Sequence, residues 1–232
     1  VKGVDKSARE NDYSVILCNT DRDPVKEEFY FKNLKERRVD GIIFAGSGRE
    51  DDRYLLEEED FSSVVVIGNH NTPFNSCQVD NVKAAADITS YLVKLNHRRI
   101  GLISGPMSYN ISKDRLMGYQ QALNEMGIFF SNKLVEEEDF TAVAGKRAAD
   151  ILLSLPDEFR PTAIIAQNDQ MAIGAMSAAW EKGLSIPEDI SLVGFDDIPM
   201  ANLTCPPLTT VRLPMYEMGY RAMDMVIEGK KK

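Results

Sequence analysis

The sequence predicts an α/β protein built on parallel β-sheets, and three observations support this prediction. Short, continuous apolar runs recur along the chain, and segments long enough to form a helix separate them. The runs lack the apolar–polar alternation of half-exposed strands, which indicates strands that are covered on both faces. Polar residues directly follow several runs, and in open parallel sheets the carboxyl edge is where ligands bind.

The clearest unit of this kind lies between residues 161 and 210. The apolar run Ala163–Ala166 stops at Asn168, and an Ala- and Met-rich segment then ends at Gly183. A second run over 190–195 stops at Asp196. This order predicts a strand, a helix and a parallel strand, with both polar residues beyond the carboxyl ends of the strands. Asn168 and Asp196 are therefore the first candidates for a binding site.

The remaining elements follow from the same signals. Strands are predicted over 13–18, 39–45, 64–68, 99–104, 163–166 and 190–195, with weaker strands over 134–140 and 209–213. Helices are predicted over 1–11, 24–38, 80–95, 113–126, 141–153, 170–182 and 215–227. Pro24 suits a first helical turn, Asp80 suits an N-cap, and Asn96 suits a left-handed helix end. Three glutamates, Glu136–Glu138, weaken the strand over 134–140.

Length and composition limit the possible functions. The 232 residues suffice for one large domain or two small ones, so a single large sheet and two sheets divided near Ser104 both remain open. A net charge of −9 excludes a basic footprint for nucleic acid or anionic membranes. No apolar run approaches the roughly 20 residues of a membrane span, and no signal peptide opens the chain. Three widely spaced cysteines, Cys18, Cys77 and Cys205, favour buried thiols in a reducing, cytoplasmic compartment over a disulfide framework.

The sequence offers little for catalysis, a metal or a cofactor. The only histidines are His70, which follows a strand, and His97, which lies at a helix end. His97 is expected to cap helix carbonyls, and His70 to serve its loop or contact a ligand. The loop Gly46–Gly48 is too short to cradle a phosphate, and there is no Walker lysine, nucleophile elbow or metal-ligand spacing. The acidic runs 57–60 and 136–139 are interpreted as solvated faces.

Two further residues are candidates for ligand contact. Arg115 is predicted near a helix start, where the helix dipole disfavours a cation, so it is either an ordinary surface arginine or a ligand-binding one. Phe140 follows four acidic residues at a strand end, where an aromatic ring either stacks on a ligand or belongs to the core.

Several segments together carry a family resemblance. The stretches IIAQNDQMAIGAMSAAWEKGLSIPEDISLVGFDD, PPLTTV, GYQQALNEMG, SGPMSYNISKDRLMGY, YSVILCNTD and VDGII resemble, in order and spacing, the effector-binding core of the lactose-repressor (LacI/GalR) family of transcription regulators. The resemblance covers essentially the whole chain. It implies a periplasmic-binding-protein-like type I fold, with two doubly wound parallel-sheet lobes joined by three crossings and a ligand cleft between them. The implied lobes are 1–103 plus 214–232, and 104–213.

The resemblance also implies site residues and partners. The family's ligand-contacting arginine, asparagine and aspartate match Arg115, Asn168 and Asp196, while Phe140 matches a ring-stacking aromatic. Tyr109 and Ile111 match loop positions that face the cleft. This mixed set of donors and acceptors suits a small polyhydroxylated effector, such as a carbohydrate. Family members pair as homodimers and contact operator DNA through a helix-turn-helix headpiece, which these residues do not include.

One departure and two rival functions remain. Gly68-Asn69 replaces an Asp-Arg pair that is frequent in the family, which questions the usual sugar chemistry at that corner. A periplasmic sugar-transport receptor is the closest rival, and the free cysteines and the PPLTTV segment argue against it. An enzyme on a doubly wound sheet is the second rival, and the lack of a nucleophile, metal set or dinucleotide loop argues against it.

Overall fold

The computed structural model describes residues 1–21, 23–45, 63–68 and 73–230. The chain divides into two compact units, Val1–Val79 with Pro214–Lys232, and Asp80–Leu213. The described strands form two separate parallel sheets, one of three strands and one of five. The Gly46–Gly48 loop, the acidic run 57–60, Asn69 and His70 lie outside the described residues.

The described residues of the first unit form a three-stranded parallel sheet and three helices. Its strands are β1 (Ile42–Phe44), β2 (Val64–Ile67) and β3 (Asn75–Cys77), in the order β1-β2-β3, and its helices are α1 (Lys2–Glu10), α2 (Pro24–Glu36) and α7 (Met215–Lys230). Helix α7 packs on the sheet and against α1, while Asp23 caps α2 through the amide of Val25. Gly3 lets helices α1 and α7 approach closely, since a Cβ at this position would lie 2.0 Å from the carbonyl oxygen of Tyr216.

The predicted strand over 13–18 is wrong. This segment pairs with no strand among the described residues, and Val15, Ile16 and Leu17 are 41%, 57% and 70% exposed. An apolar run becomes a strand only where a neighbouring backbone pairs with it, which the run itself cannot reveal. Conversely, β3 was not predicted, because its sequence Asn-Ser-Cys is short and polar although it pairs with β2.

The second unit is a five-stranded sheet covered by helices on both faces. The strands are β4 (Ile100–Ser104), β5 (Val135–Glu137), β6 (Ala163–Ala166), β7 (Ser191–Asp196) and β8 (Thr209–Arg212), all parallel and in the order β5-β4-β6-β7-β8. The helices are α3 (Asn81–Lys94), α4 (Asn110–Glu125), α5 (Ala142–Leu153) and α6 (Asp169–Glu181). Neighbouring residues of β6 belong to opposite cores: Ile164 packs with α5 and α6, and Ile165 with α3 and α4. Burial on both faces explains the continuous apolar runs.

The structure places the first division of the chain earlier than Ser104. Strand β4 belongs to the second unit because it pairs with β5 and β6. Helix α3 belongs there too, since it packs closely on α4, and a Cβ on Gly118 would lie 2.0 Å from the carbonyl oxygen of Val82. The helix and strand before Ser104 thus contribute to the five-stranded unit, whose first residue is Asp80.

Several local predictions can be compared directly. Asn96 has a left-handed backbone with φ of 71°, as predicted for a helix end. The His97 ring does not cap carbonyls; its Nδ1 hydrogen-bonds with the Thr162 hydroxyl at 2.9 Å, and burial lowers the pKa of its imidazole. All three cysteines are free thiols, but they are not buried as predicted: Cys18 and Cys77 are half-buried and Cys205 is exposed. Among the described residues, no helix is long and apolar enough to cross a membrane.

Candidate ligand-binding site

The predicted site residues of the second unit lie at one edge of its sheet. Because all five strands are parallel, their carboxyl ends share one edge. Gly105 follows β4, Phe140 lies three residues beyond β5, Asn168 lies two residues beyond β6, and Asp196 ends β7. Helix α4 begins at Asn110, three residues earlier than predicted, and thereby places Arg115 inside the helix.

Arg115 is buried, so it is not an ordinary surface arginine. It is 2% exposed, its Nε donates to Asn81 Oδ1 at 3.0 Å, and its Nη1 donates to the carbonyl oxygen of Gln167. Its guanidinium stacks on the Phe195 ring, with Cζ 4.3 Å from the ring centroid. Nη2 is buried and has no hydrogen-bond partner among the described residues. Burial lowers the Arg115 pKa to about 10, so the group stays charged at neutral pH.

Asp196 is the acidic partner of this arginine. Its Oδ1 lies 3.9 Å from Arg115 Nη2, within ion-pair range but too far for a hydrogen bond. The side chain is 27% exposed, and its backbone φ of 104° lies in a region that few residues other than glycine adopt. Burial raises the Asp196 pKa to about 6; the Arg115 charge opposes this rise, and the Asp169 charge adds to it.

Phe140 and Tyr109 form an aromatic pair at the same edge. Their ring centroids are 5.6 Å apart, with an interplanar angle of 52°. Both rings are partly buried, and Phe140 also packs against the core cluster of α5 and α6. Gly105 gives the Phe140 ring its space, because a Cβ there would lie 2.1 Å from two ring atoms. The Phe140 ring thus packs against both the core cluster and Tyr109.

Asn168 is mostly engaged with the backbone. Its Oδ1 accepts the Met171 amide at 2.7 Å as the N-cap of α6, and its Nδ2 donates to the carbonyl oxygen of Phe140 at 3.1 Å. An amide nitrogen carries two hydrogens, so one remains for a ligand. Asn168 therefore anchors Phe140 to α6 in addition to any ligand contact.

Sequence reasoning missed the residues that support this set. Gln167 is fully buried; its Oε1 accepts the Gly105 amide at 3.1 Å, and its Nε2 donates to the carbonyl oxygen of Ser112 at 3.2 Å. Asn81 orients Arg115 from another helix, α3. Gln167 could have been found from its position between an apolar run and Asn168. Nothing in the sequence linked Asn81 to Arg115.

The second unit thus brings all five predicted ligand residues to one edge. Contacts link Tyr109 to Phe140, Phe140 to Asn168, and Arg115 to Asp196. Ile111 is half-buried in the first turn of α4. No group of three or more metal-ligating side chains occurs in the part of the chain that the structure describes. The arrangement combines a buried donor, an acidic acceptor and aromatic rings, which suits recognition of a small polar molecule.

Comparisons with known proteins show which family the chain is similar to. Residues 89–232 match the model of the periplasmic binding protein-like domain family. The HTH-type transcriptional repressor CytR of Escherichia coli is 34% identical over 231 residues, which cover 98% of this chain and 67% of that protein. A regulatory protein of the LacI family from Chloroflexus aggregans superposes with a TM-score of 0.87 at 30% identity, covering 99% of this chain and 82% of that one.

A further solved structure contains a sugar. The transcriptional regulator CelR in complex with cellobiose superposes with a TM-score of 0.89 at 28% identity, covering 99% of this chain and 70% of that chain. The periplasmic-binding-protein-like fold predicted from the sequence is confirmed by these matches.

Proposed function

The chain belongs to the LacI family of transcription regulators, and we propose that its second unit binds a small polyhydroxylated effector, such as a carbohydrate, between Arg115 and Asp196. The relatives are transcription regulators, which favours this function over a periplasmic transport receptor and over an enzyme. The proposed residues are Arg115, Asp196, Asn168, Phe140 and Tyr109.

The gap between Arg115 and Asp196 carries the proposal. A guanidinium nitrogen only donates hydrogen bonds, and an ionised carboxylate only accepts them. Nη2 and Oδ1 are 3.9 Å apart. A ligand atom that hydrogen-bonds to both must therefore accept from Nη2 and donate to Oδ1. A hydroxyl group does both. A hydrogen bond to a charged group contributes roughly 1.5–3 kcal/mol, so an effector hydroxyl that contacts both Nη2 and Oδ1 would strengthen binding by an amount of this order.

The aromatic pair supports a ring-shaped effector. Sugar rings carry an apolar face of C–H groups beside their hydroxyls, and aromatic side chains pack on such faces. Tyr109 and Phe140 form a partly buried aromatic pair at the carboxyl edge of the sheet, where Arg115 and Asp196 also lie. The cellobiose complex of CelR is a precedent for sugar binding on this fold.

Regulation follows if the effector distinguishes two states of the regulator. An effector shifts DNA binding only when the DNA-binding and non-binding states have different affinities for it. The net charge of −9 disfavours phosphate contacts by these residues, so we assign operator contact to a helix-turn-helix headpiece outside them. Because operator DNA lies in the bacterial cytoplasm, we propose that the protein is cytoplasmic.

We further propose that the full-length regulator is a homodimer that pairs through α6. Trp180 on this helix is 80% exposed, and Met200 and Leu203 of the 3-10 helix Pro199–Leu203 are also exposed. A cavity of about 450 Å³ is lined by Met176, Trp180, Leu184 and Cys205, among others. Large exposed apolar side chains beside a cavity suit a protein interface.

Mass spectrometry of molecules released from purified, denatured protein tests the effector assignment. We expect a compound with at least two neighbouring hydroxyl groups, which rebinds to the refolded protein. Release of a compound without hydroxyls that binds at the same residues would contradict the proposal. Protein in which Arg115 is replaced by lysine serves as the control, because it is expected to lose the bound compound during purification.

A further inference from the structure

Asp169 is a fully buried carboxylate at the first position of α6, and the proposed ligand contacts do not include it. Its Oδ2 accepts the Ile198 amide at 2.8 Å, and its Oδ1 accepts the Thr210 hydroxyl at 2.5 Å. Both partners are distant in sequence, by 29 and 41 residues. Burying a charged carboxylate costs free energy unless hydrogen bonds compensate for the lost water. The two hydrogen-bond partners therefore indicate which part of the chain Asp169 holds in place.

The direction of these hydrogen bonds is fixed by chemistry. An ionised carboxylate accepts only, so the Thr210 hydroxyl gives its hydrogen to Asp169. Its oxygen then accepts the Asp197 amide at 3.3 Å. Asp169 holds the next amide, that of Ile198. The two amides that follow Asp196 are therefore held by one connected pair, Asp169 and Thr210.

The backbone at this position needs such support. Asp196 and Asp197 have φ values of 104° and 56°, and successive positive values are unfavourable for residues with a Cβ. Conformations of this kind are unfavourable and persist where the surrounding structure enforces them. The ion pair of Asp197 with Arg212 contributes little, since the arginine side chain is 83% exposed. The partly buried hydrogen bonds of Asp169 and Thr210, which converge on the fully buried Asp169 carboxylate, are thus the main restraint on this backbone.

Strand β7 leaves space for the carboxylate. A Cβ on Gly194 would lie 2.2 Å from Asp169 Oδ1, so only glycine allows the carboxylate this position. Gly194 pairs with Thr210 of β8 in the parallel ladder. The register of β7 and β8 therefore places the Thr210 hydroxyl beside the Asp169 carboxylate, for which Gly194 leaves room.

We propose that Asp169 and Thr210 are positioning residues that hold the Asp196 carboxylate facing Arg115 for effector binding. The inference rests on the proposed function of Asp196, and it assigns neither Asp169 nor Thr210 a contact with the effector. A purely structural role would stabilise the N-terminal turn of α6 without changing the environment of Asp196.

The test uses Thr210→Val, with Thr210→Ser as the matched control that keeps the hydroxyl. Valine has nearly the shape of threonine and suits an edge strand such as β8. Thr210→Ala is a second variant that removes the hydroxyl without adding a methyl group in its place. Carboxyl carbon NMR follows the titration of Asp196, and amide hydrogen exchange follows Asp197 and Ile198. Neither measurement requires an effector, so the outcome is independent of the experiment that identifies the effector.

In Thr210→Val we expect the Asp196 pKa to fall from about 6 toward the ordinary aspartate value, because the carboxylate leaves its buried position. Exchange at the two amides should accelerate by about tenfold or more, while amides of β6 stay protected. Thr210→Ser should remain near wild type. An unchanged Asp196 titration in folded Thr210→Val or Thr210→Ala, an equal change in Thr210→Ser, or unfolding of both hydroxyl-free variants would overturn the proposal.

Discussion

Arg115 Nη2 and Asp196 Oδ1 lie 3.9 Å apart, with the guanidinium buried and the carboxylate partly exposed. The arginine is held from three sides, by Asn81, by the Gln167 carbonyl and by the Phe195 ring. Its remaining nitrogen therefore has a fixed direction before any effector arrives. Such preorganisation reduces the entropy lost on binding.

We expect Arg115→Lys to weaken effector binding by roughly 10- to 150-fold, the range expected when a charge-assisted hydrogen bond is lost. Lysine keeps the charge, but a single ammonium cannot reproduce the planar fork that contacts Asn81, Gln167 and the effector. Isothermal calorimetry measures the affinity. Arg147→Lys is the matched control, since Arg147 forms an exposed ion pair with Glu138 and should bind as wild type. Equal affinities for the two variants would remove Arg115 from the site.

Asp196→Asn should stabilise the effector-free protein at neutral pH while weakening effector binding. Asparagine resembles the protonated aspartate and tolerates positive φ. A folded pKa of about 6 means that the folded protein retains a proton that the unfolded chain releases near pH 4, so wild-type stability falls as pH rises from about 4 to 6. The difference between these pKa values corresponds to roughly 3 kcal/mol above pH 6.

Thermal and urea unfolding at pH 4 and pH 7 check this prediction. The variant and the wild type should have similar stability at the lower pH, and the variant should be more stable at the higher pH. A variant that is less stable at pH 7 would show that the ionised carboxylate stabilises the fold, contrary to the dominant effect of burial on its pKa.

Effector affinity should decrease as pH falls below about 6. An effector hydroxyl donates to the ionised Asp196, so only the ionised fraction binds, and affinity at pH 5 should be about tenfold lower than at pH 7. Arg115 remains charged throughout this range, since its pKa is about 10. Burial also raises the pKa of Asp169. The Asp196→Asn variant still contains Asp169, so it separates the two carboxyl groups. A pH dependence that persists in Asp196→Asn would therefore assign the titration to Asp169 or another group.

The sequence predicted the strands that are buried on both faces better than the edges of the sheets. Continuous apolar runs identified β4, β6 and β7 because helices cover both of their faces. The run over 13–18 is likewise mainly apolar but has no partner strand among the described residues, whereas the polar β3 pairs with β2. Pairing depends on a neighbouring backbone, and a single segment carries no information about it.

The candidate site shows the same limit. Residues at strand ends, such as Asn168 and Asp196, were predictable because parallel strands direct their carboxyl ends to one edge. Arg115 was a candidate because the dipole at a helix start disfavours a cation, and its role as a surface or ligand-binding residue remained open; the earlier helix start and the burial of its side chain could not be predicted. The contacts of Asp169 with Thr210 and of Asn81 with Arg115 connect residues 41 and 34 positions apart, and only tertiary packing creates them.

Trp180→Glu should convert the full-length regulator from a dimer to a monomer if α6 forms the interface. Trp180 is 80% exposed in the single chain, so a charge there should leave the fold of the monomer intact. Sedimentation velocity at micromolar concentration measures the change. Phe129→Glu is a suitable control, because Phe129 is 97% exposed outside α6. A monomeric wild type, or a dimeric Trp180→Glu variant, would exclude this interface.

Gly105→Ala should weaken effector binding although Gly105 itself offers no side chain to an effector. The added Cβ would lie 2.1 Å from two atoms of the Phe140 ring and 2.8 Å from Ser112 Oγ, so the ring must move. Moving it disturbs the contact with Tyr109. Because aromatic pairs and stacked rings are worth roughly 0.5–1.5 kcal/mol each, we expect affinity to fall by about 2- to 12-fold.

Gly127→Ala is the matched control for this last prediction. Gly127 has a left-handed φ of 69°, and a Cβ there would meet no atom within 4 Å. The substitution should cost about 1 kcal/mol of stability through backbone strain and leave effector affinity unchanged. Calorimetry and thermal unfolding of both variants separate the two effects. If Gly105→Ala loses stability but binds the effector as tightly as wild type, the Phe140 ring does not contact the effector.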